Sequence, residues 1–205
     1  MFFNHGWAIL KAINEGSDWM EPTHTIELKM EEIAPKALWI NVLLVVLFAA
    51  AYHYMAEPLS FRFSLTGVLL FVFGYIALIV LHEAFHLIGF MLFGKATLAS
   101  LKYGVNLKLG IAYATTTTAL RNKAMKKALL LPFWTTAVIP TALGFWLDSQ
   151  VLALLGAMLA AGAIGDFYMY RALLKERNDA WVLDDPELPR LHIYEQNPNQ
   201  KSADR

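Results

Sequence analysis

Four stretches of this chain stay apolar for about the 20 residues a helix needs to cross the hydrocarbon of a bilayer, and this narrows the available folds more than any other feature. They run from about Ala37 to Met55, Ser64 to Phe93, Ala128 to Leu147 and Val151 to Leu174. Inside hydrocarbon every backbone N–H and C=O must find a partner within its own segment, so runs of this kind are expected to be helices. The second run is long enough to tilt or to project beyond the hydrocarbon. Only 17% of the 205 residues are charged, against 57% hydrophobic; a soluble domain carries about 25% charge. The expected fold class is an all-α membrane protein of about four transmembrane helices with a small cytoplasmic β-strand or hairpin element, and its first partner is the lipid bilayer.

Outside these runs the apolar period changes to two. Ile26, Leu28 and Met30 alternate with Glu27, Lys29 and Glu31, which predicts a short strand outside the membrane. Between residues 98 and 118, Leu101, Tyr103, Val105, Leu107, Leu109, Ile111 and Tyr113 fall at odd positions, with Gly104 and Gly110 as punctuation. One or two strands, or a hairpin, near the membrane surface are expected there. From Lys95 to Lys127 there are seven cations and no acidic residue, whereas Arg62 is alone in the loops around Pro58 and Ser149. The positive-inside rule then predicts that the strand segment and both termini face the cytoplasm.

A net charge of zero gives no basic footprint for nucleic acid, and the absence of cysteine excludes thiolate ligands and a Cys nucleophile. Asn4, Lys11, Glu15, Asp18 and Glu21 interrupt the first 35 residues, so no signal peptide is expected. The chain divides into a cytoplasmic N-terminal segment with a short strand (1–35), a four-span domain containing the strand segment (36–175), and a polar cytoplasmic tail (176–205). The last ten residues of the tail read as disordered, and Val182 to Pro186 as a surface turn.

Within the second apolar run stands His82-Glu83-Ala84-Phe85-His86, an HExxH pattern. On a helix, residues four apart share a face, so both imidazoles can grip one metal ion while Glu83 sits beside the water to be activated. In a soluble helix two such histidines are as often simply solvated. Here they are flanked by Ile76 to Leu81 and by Leu87 to Phe93, and ionisable groups at membrane depth cost on the order of 2.5–3.5 kcal/mol each. Such groups are kept for function.

A catalytic zinc site takes three protein ligands and keeps one position open. In the pattern HExxHxxGxxH the third ligand would be residue 92, which is Leu, and no Asp, Glu or His occurs from Leu87 to Leu147. Asp148 is at the far end of the third run. Asp166 lies eight residues before Leu174, where the fourth run ends, and His86 lies eight before Gly94, which follows the second run, so both sit about 12 Å below the same boundary. The expected ligands of Zn2+ are therefore His82, His86 and Asp166. Gly156, Ala160, Ala161, Gly162, Ala163 and Gly165 precede the carboxylate and permit close helix approach.

HEAFH in one span, a strand segment, a further span and then GAIGDFYMY resemble the core of the site-2-protease group of intramembrane zinc proteases. More narrowly, residues 25–190 are similar to a bacterial family of small membrane zincin peptidases. The resemblance implies an integral protein of the bacterial cytoplasmic membrane, with zinc on His82, His86 and Asp166 and Glu83 as catalytic base. It implies hydrolysis of membrane-embedded or juxtamembrane peptide substrates, whose unwound segment could join the edge of the strands at 98–118. Pro132 and Pro140 could open a water passage, Pro140 more simply a kink. Two other readings stand beside this one: a membrane scaffold that keeps zinc without proteolysis, and a metal-ion transporter. The latter would ordinarily show inverted repeats and more spans. His5, His24, His53 and His192 read as surface residues.

Overall fold

A computed structural model describes residues 21–61, 64–106, 111–185 and 188–199. The expectations for residues 1–20, Arg62, His5, Lys108, the 107–110 part of the strand segment and the last six residues of the tail lie outside these.

Helix α1 (Met30–Met55) leads through a short connection to α2 (Leu65–Gly94), which opens on a Ser64 side chain accepting from the Gly67 N–H. Helix α3 (Asn122–Pro132), a π-helical segment (Phe133–Val138) and α4 (Ile139–Trp146) continue one another. Helices α5 (Gln150–Gly162) and α6 (Ile164–Leu173) follow, bent by 43° where they meet at Ala163. Three helical stretches are long and apolar enough to cross a membrane, and a fourth results if the bent pair is one span. The outward faces suit such a setting: Leu43, Val46 and Leu47 on α1 and Leu69, Phe73, Ile76 and Val80 on α2 are all exposed. The connections at the ends of α1 and α4 meet through Gln150, which accepts from the Ser60 N–H and donates to its carbonyl.

The opposite end of the bundle carries the strands. β2 (Leu101–Asn106) and β3 (Ile111–Thr116) form the expected hairpin, in register from Leu101 against Thr116 to Asn106 against Ile111. A second, antiparallel sheet has the order β1 (His24–Glu27), β6 (Arg190–Tyr194), β5 (Trp181–Asp184) and β4 (Leu120–Arg121). The alternation seen from Ile26 to Glu31 ends as strand at Glu27, because α1 has begun by Met30. The larger departure from expectation is the tail. Residues 182–184 are strand rather than surface turn, and Asn199, within the stretch read as disordered, is tied down by bonds to the N–H and carbonyl of Ala119. His192 is a strand residue bonded to Asp185 and Thr25, not a free surface group.

The hydrophobic core fills the space between this sheet and the ends of α2, α3 and α6. It joins Phe90, Met125, Leu129, Met169 and Leu173 to Leu120, Val182, Leu191 and Ile193. Two contacts set the helix positions. A Cβ on Gly89 would lie 2.8 Å from the Cα of Ala128, so α2 and α3 approach to a distance that only glycine allows. Asn122, fully buried at the start of α3, donates to the carbonyls of Leu173, Glu176 and Arg177 at 3.0, 3.1 and 2.9 Å. Leu173 is the last residue of α6 and Glu176 and Arg177 follow just after it, so Asn122 fixes that end of the helix against α3.

Candidate metal centre

Helix α2 presents His82 and His86 one turn apart on its buried face, and α6 brings Asp166 up to them. The His82 Nε2 lies 3.1 Å from Asp166 Oδ2, and the His86 Nε2 lies 3.3 Å from Oδ1. The three ligand atoms all fall within 4.8 Å of one another. Two ligands bound to zinc at about 2.0–2.1 Å at a tetrahedral angle stand about 3.3 Å apart, so the spacing is that of a coordination edge. Asp166 occupies the first turn of α6, next to the bend, where unpaired N–H groups favour a carboxylate. Asp148, the discarded alternative, sits in the loop at the other end of the bundle with φ 50.

The far nitrogens of both rings are held by the segment running from α3 into the π-helix. The His86 Nδ1 is 3.2 Å from the Ala128 carbonyl, which can only accept, so the proton is on Nδ1 and the Nε2 lone pair is free for a metal. That carbonyl is available because the residue four positions later is Pro132, which has no N–H to give it. His82 is fixed in the same sense. Its Nδ1 lies 3.2 Å from the Thr136 hydroxyl, which spends its own proton on the Pro132 carbonyl at 2.8 Å. The hydroxyl must therefore accept from Nδ1–H, leaving the second Nε2 lone pair directed at the same point. Thr136 belongs to the π-helical segment, a form found mostly at functional sites. Hydrogen-bond partners that fix the tautomer in this way are the usual companions of metal-binding histidines.

Both histidines, Glu83 and Asp166 line one cavity of about 460 Å³. Its other walls include Leu28 and Ile33 near the start of α1, Ala112 to Ala114 on β3, and Asp184, Pro189 and Leu191 of the larger sheet. Glu83 also faces a neighbouring apolar cavity of about 540 Å³ under the hairpin, walled by Val80, Leu87, Tyr103 and Val105. The four residues singled out from the sequence are thus brought together. Thr136, the Ala128 carbonyl and Asp184 were not anticipated. Of these only the carbonyl left a signal, a proline four residues after a small residue.

A family model described as "Putative zincin peptidase" matches residues 75–181, more than half of the chain and all four of these residues. The chain belongs to that family. No curated protein and no solved structure matches it. The zincin description is of a zinc metallopeptidase, and the donor set fits it: two neutral imidazoles and one carboxylate are ligands zinc takes in catalytic sites. Among the described residues this is the one group of three such side chains close enough to hold an ion. The matched region stops just short of Asp184, so the family likeness covers the face of the cavity that carries His82, His86 and Asp166 but not its sheet-side wall.

Proposed function

We propose that this protein is an intramembrane zinc endopeptidase, of the same general design as the site-2 proteases, acting on membrane-embedded or juxtamembrane peptide segments. The observation that carries the reading is the pairing of a three-ligand site with a carboxylate that is not a ligand. Glu83 shares the cavity with His82, His86 and Asp166 yet stands outside the cluster of ligand atoms. A structural zinc site is closed by four protein ligands, and this one offers three.

When bound, zinc would supply Lewis-acid activation of a water and of the peptide carbonyl. His82, His86 and Asp166 would hold it with the ring protons fixed on Nδ1. Glu83 would take the proton of the attacking water and return it to the leaving amine. The substrate must present an unwound segment, since a helix keeps its carbonyls in its own hydrogen bonds. β3, whose residues 112–114 wall the cavity, offers a strand against which such a segment could extend. The strand-bearing end, with the cations from Lys95 to Lys127, would face the cytoplasm.

The test is zinc content and peptide hydrolysis by the detergent-purified protein. Wild type and Glu83→Gln should each hold one zinc while only wild type cleaves, and His86→Ala and Asp166→Ala should lose the metal. Cleavage at the wild-type rate by Glu83→Gln would sink the assignment of the base. A zinc-loaded wild type that hydrolyses no peptide or membrane-protein segment would leave the scaffold reading.

A further inference from the structure

The cavity contains one carboxylate that neither the metal nor the proposed chemistry uses. Asp184 ends β5, and the alternation of the strand puts it on the same face as Val182, which is wholly buried in the core. Asp184 is also among the residues lining the cavity, within electrostatic reach of His86 and Asp166. No Lys or Arg lines the cavity among the described residues. The next residue shows what a carboxylate of this sheet does when it serves the fold: Asp185 is bonded to Arg190 at 2.6 Å and to His192 at 3.2 Å. Among the described residues no Lys or Arg pairs with Asp184. Its polar neighbour is the buried hydroxyl of Thr115 on β3. Burial accordingly pushes the Asp184 carboxyl up to about 7, with the Thr115 hydroxyl and His86 pulling the other way by less.

We propose that Asp184 is a specificity-determining residue of this cavity, receiving a cationic side chain, Lys or Arg, carried by the substrate next to the bond held at the metal. The inference rests on the proposed peptidase reading and deepens it. Charge count supports it. With Asp166 and Glu83 balancing a zinc ion, an ionised Asp184 would leave one negative charge in a largely apolar chamber, and a substrate cation would both favour that ionised form and neutralise it. The expected substrates also carry the needed residue, because Lys and Arg accumulate where membrane segments leave the bilayer on the cytoplasmic side. The backbone pairing of β5 with β6 does not involve the carboxylate, so the strand would form equally with an amide in its place.

The experiment uses the zinc-loaded full chain in detergent and measures the affinity of three probes that grip zinc through the same group. These are N-acetyl-lysine hydroxamate, N-acetyl-norleucine hydroxamate and N-acetyl-glutamate hydroxamate. Wild type should bind the lysine probe about tenfold more tightly than the norleucine probe, and the glutamate probe most weakly. Asp184→Asn should bring the lysine-to-norleucine ratio close to one while leaving the norleucine affinity unchanged. Asp184→Ser serves the same purpose if the amide variant loads no zinc. Equal affinities in wild type, or a lysine preference that survives both substitutions, overturns the assignment. The norleucine probe separates the two levels of inference: if it fails to bind zinc-loaded wild type, the open metal position and the peptidase reading fall along with the proposed subsite. If it binds and lysine brings no gain, only the role of Asp184 falls.

Discussion

Two ring protons govern the site at the scale of single residues, and two side chains place them. Pro132 acts by what it lacks: without its N–H, the Ala128 carbonyl is left for the His86 Nδ1 at 3.2 Å. Thr136 acts by donating to the Pro132 carbonyl and so having only a lone pair to offer His82. The two predict opposite signatures on substitution. Pro132→Ala restores a competing backbone donor, so the helix should be as stable or more so while zinc affinity falls. Thr136→Val keeps the shape and removes the acceptor for His82, and should lower zinc affinity by about 10–100-fold with little change in helix content. Competition with a fluorescent zinc chelator, alongside circular dichroism, checks both; unchanged affinity in Thr136→Val would show that the hydroxyl does not orient the ring. The cluster of His82, His86 and Asp166 was legible in the sequence because HEAFH is contiguous and because no other acid or histidine competes from Leu87 to Leu147. Thr136 was not legible. Its relation to His82 spans 54 positions and depends on a π-helical turn that no periodicity announces.

Among the elements, the long helices could be read from their apolar length, and the hairpin from the alternation between Leu101 and Tyr113. The larger sheet could not. β5 and β6 have four and five residues, lie amid charged residues and Pro189, and acquire their meaning only by pairing with each other and with strands more than 60 and 160 residues earlier. Their inward positions, Val182, Leu191 and Ile193, complete the core that Phe90 and Met125 begin. The tail is therefore part of the fold that supports the site. Ending the chain after Asn178 removes two central strands and leaves β1 and β4 with no partner in the sheet. It also removes the Asp184, Pro189 and Leu191 wall of the cavity. Such a truncation should expose residues 21–29 to limited proteolysis and lose zinc on purification, whereas ending after Asn199 should do neither. A truncated protein that keeps its zinc and its protease resistance would mean that the four helices suffice.

The whole molecule is a bundle with flanks apolar enough for a bilayer and with a centre that brings together helices far apart along the chain. His86 and Asp166 are 80 positions apart, on α2 and α6. The bend at Ala163 separates α6 from α5, so Asp166 is positioned by Asn122 at one end of its helix and by the histidines at the other. A metal that binds the folded site and not the unfolded chain adds stability in proportion to the logarithm of its saturation, about 4 kcal/mol at a thousandfold excess over its Kd. That increment should appear where the metal would bridge α2 and α6. Stripping zinc with a chelator should lower the melting temperature of wild type and of Glu83→Gln by the same amount, since Glu83 is not a ligand, and should leave His86→Ala unmoved. Amide exchange should accelerate on chelation along α6 and the π-helical segment and hardly at all along the exposed apolar run of α1, which is not part of the His82, His86 and Asp166 cluster. If the loss of zinc loosened α1 as much as α6, the metal would be supporting the bundle globally and the local bridge would be the wrong description. Faster exchange confined to α6 and residues 133–138 would instead place the local hinge at the 43° bend, through which the chain runs from α5 to the carboxylate.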